Sequence, residues 1–158
     1  MPKQLSAVEV EMLRLLQNDA SLSTNALAER LNLSQSPCWR RLNHLEQAGY
    51  IRKRVALLDR RALGMEVVAF ATVSLATEGY RDIGAFEKSI AEHPEVVECY
   101  TMTGIWDYVL KIVTRDIRHY EAFARNTLLT NPYIHELHSH IAVTEVKNST
   151  ELPLSTQL

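Results

Sequence analysis

Residues Leu33–Asp59, LSQSPCWRRLNHLEQAGYIRKRVALLD, decide how the rest of the chain is read. Ser34 is a helix N-cap residue, Pro37 falls in the first turn, where a missing N–H costs nothing, and Gly49 supplies a left-handed stop. The spacing predicts a helix over about Gln35 to Ala48. At 100° per residue Cys38, Leu42 and Leu45 share one face, with Trp39 at its edge and Glu46 toward the buried side. Ser36, Arg40, Asn43, His44 and Gln47 occupy the opposite face, Gln35 and Ser36 lie at its N-terminal end, and Arg41 sits on the rim. This outer face is cationic and hydrogen-bonding, and the helix carries no acid on it. Beyond Gly49, Tyr50–Leu58 reads as an extended segment with a turn near Arg52–Arg54, a basic hairpin or wing.

Working outward, Ser6-Ala-Val-Glu9 has the S-x-x-E spacing of a capping box, with Leu5 and Val10 placed as a hydrophobic staple. The helix it opens runs to about Gln17, with Met12, Leu15 and Leu16 inward. Ser23 caps a second helix, Thr24–Leu31, that buries Leu27, Ala28 and Leu31. Only Asn32-Leu33 separates this helix from the cap at Ser34. Two helices joined so closely, the second with a polar cationic face, describe a helix-turn-helix whose second helix enters the DNA major groove. Arg pairs with guanine, Asn or Gln with adenine, and Ser with either. Ser34, Gln35, Ser36, Arg40, Arg41, Asn43, His44 and Gln47 are therefore the candidate DNA contacts. Arg52, Lys53 and Arg54 suit the phosphate backbone, which gives affinity without sequence information.

Charge is distributed to match. Residues 1–64 hold ten Lys and Arg against six Asp and Glu, whereas residues 65–158 hold seven against thirteen. A mildly acidic chain thus contains a basic part that faces a polyanion. At 158 residues, with 46% hydrophobic and 23% charged residues, the chain suits one ordinary or two small globular domains. No apolar run approaches a membrane span, and the first residues are too charged for a secretory signal, so the expected location is the cytosol. Cys38 and Cys99 form no C-x-x-C pair and read as buried thiols.

Asp59–Met65 interrupts the helical pattern as a linker. Glu66–Thr77 follows as a strand rich in β-branched residues. Asp82 caps a helix through about His93, with Ile83, Phe86 and Ile90 inward; Val96–Met102 is a second strand. Thr103-Gly104-Ile105 turns into a third strand, Trp106–Thr114. Asp116 caps another helix with Ile117, Tyr120, Phe123 and Leu128 inward, and Leu137–Val146 is the fourth strand. The order strand–helix–strand–strand–helix–strand is the ferredoxin-like arrangement. The fold class expected is α+β: a winged helix-turn-helix domain (1–58), a linker (59–65) and a ferredoxin-like domain (66–158). A sheet with both helices on one side leaves its other face open, which predicts self-association.

These residues resemble the Lrp/AsnC, or feast/famine, transcription regulators of bacteria and archaea. The likeness rests on Leu33-Ser34-x-x-x-Cys38-x-x-Arg41-Leu42-x-x-Leu45-Glu46-x-x-Gly49-x-Ile51, on Pro94-Glu95-Val96, on Thr103-Gly104-Ile105-Trp106-Asp107-Tyr108 and on Glu145-Val146-Lys147. It implies homodimers through the C-terminal domains, often octamers, on double-stranded DNA in the nucleoid. It also implies an amino-acid effector bound between dimers near the Gly104–Asp107 turn. Gly104 allows a ligand close to the backbone, and Asp107 can answer an α-ammonium group. Thr101, Thr103 and nearby N–H groups can receive the carboxylate, with Met102, Trp106 and Ser139 as further candidates. No cofactor or metal is expected. The residues contain no nucleophile–base arrangement, glycine-rich phosphate loop or tuned carboxylate pair, which speaks against an enzyme. Two alternatives stay open: a metal- or thiol-responsive regulator using His138 and His140 or Cys99, and an amino-acid-sensing module that binds no DNA.

Overall fold

The computed structural model describes residues 5–155. Its elements are α1 (Ala7–Asn18), α2 (Thr24–Arg30), α3 (Gln35–Gln47), β1 (Val67–Leu75), α4 (Thr77–Arg81) and α5 (Ile83–Ala91). There follow β2 (Val96–Thr101), β3 (Tyr108–Thr114), α6 (Ile117–Phe123) with a π-helical continuation Ala124–Leu128, and β4 (Ile134–Ile141). The chain forms two compact units. One runs to Leu57 and includes the tail from Lys147; the other is Leu58–Val146.

The first unit is the three-helix cluster that the caps predict. At α1 the capping box is complete: Ser6 Oγ accepts from the Glu9 N–H at 3.4 Å, and Glu9 Oε2 accepts from the Ser6 N–H at 2.9 Å. Met12, Leu27, Cys38 and Leu45 are fully buried together, with Leu5, Leu31, Leu33 and Ile51 packed around them. Ser6 has a second effect. Its hydrogen bonds hold the Glu9 carboxyl below the ordinary value of 4.5, with Arg41 and His44 adding to the shift. Because the folded value is depressed, this contribution is present above the ordinary Glu range and is lost as pH falls through the folded value. Ser6→Ala is expected to cost about 0.5–2 kcal/mol at neutral pH and to move acid unfolding to higher pH. Urea midpoints at pH 7, and a pH titration followed by circular dichroism, measure both.

In the second unit a four-stranded antiparallel sheet has the order β2-β3-β1-β4. Alternation sorts its side chains. Ala69, Ala71, Val73 and Leu75 of β1, with Tyr108, Leu110 and Ile112 of β3, are buried against Phe86, Ile90, Tyr120, Phe123 and Leu128. The other face carries Phe70 opposite Lys111 on one side and His140 on the other, and Thr72 opposite Val109 and His138. Phe70 there is 42% exposed and Tyr100 of β2 is 57% exposed. The Tyr108 hydroxyl donates to Glu87 Oε1 at 2.9 Å; burial first, then this carboxylate, pushes its pKa up to about 12. A raised folded value gives stability that is full below the ordinary value of 10 and disappears as pH rises through about 12. Tyr108→Phe should therefore flatten the alkaline limb of the stability curve between those limits, while losing about 0.5–1.5 kcal/mol at neutral pH. Urea unfolding from pH 8 to 12 checks it.

Several expectations are corrected. No strand or turn forms across Tyr50–Leu58, so among the described residues this basic segment is an irregular stretch and not a hairpin. The adjacent cations Arg52, Lys53 and Arg54 repel one another, and a tight turn would bring them closer. Asp59–Met65 is a folded turn of the second unit: the Leu63, Gly64 and Met65 N–H groups donate to Asp59, Arg61 and Arg60 carbonyls, and Arg60 Nη1 reaches Met65 O and Glu66 O. The tail from Lys147 to Ser155, grouped by sequence with the second domain, clusters with the first unit. The fourth strand occupies Ile134–Ile141, starting three residues early and stopping five short of Val146. Its limits follow β1, whose Leu75 pairs with Ile134 and whose Ala69 pairs with Ile141.

The first strand stops at Leu75, and the rest of its expected span begins the short helix α4. Gly79 hid this helix from a propensity reading, yet packing calls for it: a Cβ there would lie 2.6 Å from the Tyr133 carbonyl oxygen. Ile83 and Ile117, expected inward, are 45% and 53% exposed. Each is the first residue of its helix, where the chain has yet to descend onto the sheet. Cys99 is exposed, unlike Cys38, because β2 is an edge strand.

Candidate DNA interface and ligand site

The helix-turn-helix is built by backbone bonds that redirect the chain after α2. The Asn32 N–H donates to Glu29 O at 3.2 Å and the Leu33 N–H to Ala28 O at 2.9 Å. Asn32 adopts φ +51°, a left-handed conformation that Asn tolerates better than most residues. Ser34 then takes the extended cap geometry, but its hydroxyl makes no bond to the helix and is left for other contacts. Cys38, Leu42 and Leu45 are buried as the stripe predicts, and Cys38 Sγ points at Thr24 O, 3.7 Å away. Burial raises the pKa of that thiol and makes it a poor nucleophile.

The opposite face is open. Ser34, Gln35, Ser36, Arg40, His44 and Gln47 are exposed, and Arg41 and Asn43 are partly covered. The structure adds an acid that helix α3 alone does not reveal. Glu9 of α1 places Oε1 3.8 Å from both Arg41 Nη1 and His44 Nδ1, and Arg41 Nη1 is also 3.5 Å from Ser6 Oγ. Glu9, Pro37, Arg40, Arg41 and His44 line a cavity of about 290 Å³. Arg41 is thereby braced against α1, whereas Arg40 has no such brace among the described residues. Glu46, read as nearer the buried side, is exposed and pairs with Arg54 at 3.0 Å. Arg54 Nη1 also donates to Ala20 O at 3.2 Å, so its guanidinium is engaged while Arg52 and Lys53 stay exposed. Gly49 closes α3 at φ +80°, with Tyr50 N–H donating to Leu45 O.

In the second unit the β2–β3 connection is locked by Asp107. Its N–H donates to Val73 O at 2.9 Å, and its carbonyl accepts from the Met102 N–H at 2.8 Å. The carboxylate accepts from the Leu75 N–H at 2.8 Å and from the Tyr80 hydroxyl at 2.7–2.8 Å. Tyr80 and α4 are the parts that sequence reasoning missed. Thr101, Met102, Thr103 and Gly104 are exposed around the turn, and Gly104 has φ +110° with open space where a Cβ would stand. Trp106 is half-buried against His138, ring centroids 4.5 Å apart, and His138 Nε2 lies 2.8 Å from Glu136 Oε1. Ser139 is not brought to this group. It pairs with Ala71 on the helix-covered side of the sheet, where its hydroxyl bonds that of buried Tyr120. Among the described residues no group of three or more His, Cys, Asp or Glu could hold a metal ion.

A helix-turn-helix whose second helix bears an open cationic face, in one unit, and an open Gly-Asp turn on a ferredoxin-like sheet, in the other, suit a DNA-binding protein with a ligand-binding domain. Comparison with known proteins agrees. Residues 5–52 match the family described as winged helix-turn-helix DNA-binding, and residues 68–152 match the Lrp/AsnC ligand binding domain. The transcriptional regulator AzlB of Bacillus subtilis is 37% identical over 95% of this chain and 96% of its own length. DecR of Escherichia coli, a DNA-binding transcriptional activator, is 33% identical over 95% of this chain and 99% of its own. A Neisseria meningitidis transcriptional regulator crystallised in complex with L-Met is 35% identical, covering 98% of this chain and 99% of its own, with a TM-score of 0.90. The chain belongs to the Lrp/AsnC family of transcription regulators. No helix among the described residues is long and apolar enough to cross a membrane.

Proposed function

We propose that this protein is an amino-acid-responsive, sequence-specific DNA-binding regulator of amino-acid metabolism in the cytoplasm, associated with the nucleoid. The observation that carries it is the division of α3: an apolar stripe buried in the three-helix core, and an outward face of Ser34, Gln35, Ser36, Arg40, Asn43, His44 and Gln47. Those side chains suit base edges, while Arg52 and Lys53 are placed to hold phosphate. Arg41 acts through its brace on Glu9, and Arg54 through its tie to Glu46.

The effector reading rests on the Thr101–Asp107 connection. An α-carboxylate can be received by the Thr101 and Thr103 hydroxyls and the open backbone at Gly104, and an α-ammonium by Asp107. A carboxylate offers roughly four acceptor positions, so the bonds from Leu75 and Tyr80 leave room for a further donor. The L-Met complex of the similar Neisseria protein supports this class of ligand. The exposed sheet face with Phe70 and Tyr100 supports assembly as a homodimer, or a higher oligomer such as an octamer. A thermal-shift screen of the twenty amino acids tests the ligand class: a ligand that binds only the folded form raises Tm. At least one amino acid should do so, and a flat response to all of them would overturn the effector reading.

A further inference from the structure

The first unit contains a second cavity that the effector reading does not use. It measures about 640 Å³, within the roughly 300–1,000 Å³ of small-molecule sites, and its walls include Leu13, Leu16, Ile51, Val55, Leu152 and Leu154. The C-terminal tail is one of those walls. Leu152 and Gln17 exchange two hydrogen bonds, side-chain N–H to Leu152 O at 3.1 Å and Leu152 N–H to Gln17 Oε1 at 3.0 Å, and Arg14 Nη2 donates to Leu154 O. Held this way, the tail leaves Leu152 66% exposed, facing a mouth at which Val55 is 57% exposed. Large apolar side chains are thus kept at an opening rather than tucked into the core.

The rim has one sign of charge. Arg52, Lys53 and Arg54 line the cavity, and no Asp or Glu does. Arg54 is engaged by Glu46, which leaves Arg52 and Lys53 as cations without a hydrogen bond or ion pair among the described residues. A free amino acid suits this site poorly, because the lining holds no carboxylate to balance its ammonium group. Inorganic phosphate would leave the apolar walls unused. We propose that the cavity binds an amphipathic carboxylate of the fatty-acid type, its chain against the leucines and its head at Arg52 and Lys53. On the reading of those two cations as phosphate contacts, such a ligand competes with DNA.

The test uses the full chain and dodecanoate below its micelle concentration, with calorimetry and thermal shift. Dodecanoate should bind saturably and raise Tm, and each methylene removed toward octanoate should weaken binding about fourfold. Dodecyltrimethylammonium should fail to bind. Val55→Trp fills the mouth from an exposed position; it should abolish dodecanoate binding and leave DNA retardation unchanged when no amphiphile is present. Leu152→Asp, also at an exposed position, should weaken binding in the same way if the first variant folds poorly. Equal binding of dodecanol or of the cationic amphiphile, or unchanged dodecanoate binding in both variants, would overturn the proposal. So would conversion of a dimer to monomer by Leu152→Asp in amphiphile-free protein, since the groove would then be an interface between copies. Dodecanoate binding without any change in DNA affinity would support the site and remove the phosphate role of Arg52 and Lys53.

Discussion

Asp107→Ala is expected to lower the stability of the second unit by about 1.5–3 kcal/mol and to abolish the response of DNA binding to the effector. The stability loss follows from the geometry. The buried Leu75 loses the acceptor for its N–H, and the Tyr80 hydroxyl, which is exposed, exchanges the carboxylate for water. Loss of response alone would not separate a ligand contact from a collapsed turn, so two further variants divide the roles. Tyr80→Phe removes one structural bond and leaves the carboxylate, and should retain effector binding at a cost nearer 1 kcal/mol. Asp107→Asn keeps an acceptor for Leu75 but removes the charge, and should stay folded while losing effector affinity. Calorimetric titration with the amino acid found by thermal shift decides. An Asp107→Asn protein that binds it normally would make Asp107 a purely structural residue.

Arg40→Ala should weaken binding to the specific operator by about 1–3 kcal/mol and leave binding to random DNA little changed, because a bidentate contact to a base carries discrimination. Its neighbours behave differently for reasons visible in the first unit. Arg41 is held beside Glu9 and Ser6, so Arg41→Ala should lose folding stability as well as DNA affinity. Arg54 is tied to Glu46 and Ala20, so its removal should alter the salt dependence of DNA binding less than removal of Lys53. Operator and random-sequence titrations at two salt concentrations separate these cases. An equal loss on both DNAs for Arg40→Ala would reassign it to phosphate.

The parts legible in the sequence are those set by local rules. Caps at Ser6, Ser23, Asp82 and Asp116 start their helices where the side chains place them, since each accepts from a backbone N–H of its own first turn. Strand alternation in β1 and β3 likewise assigns the core, because side chains repeat every second residue. What escaped is set by contacts distant in sequence. Helix α4 depends on Gly79 fitting under the Tyr133 carbonyl, and Tyr80 reaches Asp107 only because α4 turns back on the end of β1. Glu9 reaches the reading helix across a gap of more than thirty residues, so the periodicity of α3 could not show it. The partner of Ser139, a further effector candidate, is likewise set at a distance: its register opposite Ala71 brings its hydroxyl to that of Tyr120.

Coupling between the outward face of α3 and the Gly104–Asp107 turn would be reciprocal. The most direct measurement is an operator titration with and without the effector amino acid, paired with an effector titration with and without operator DNA. Operator binding should be steeply salt-dependent, and the effector should change it by the same factor as DNA changes effector affinity. Operator affinity that is identical with and without saturating effector would contradict the coupling.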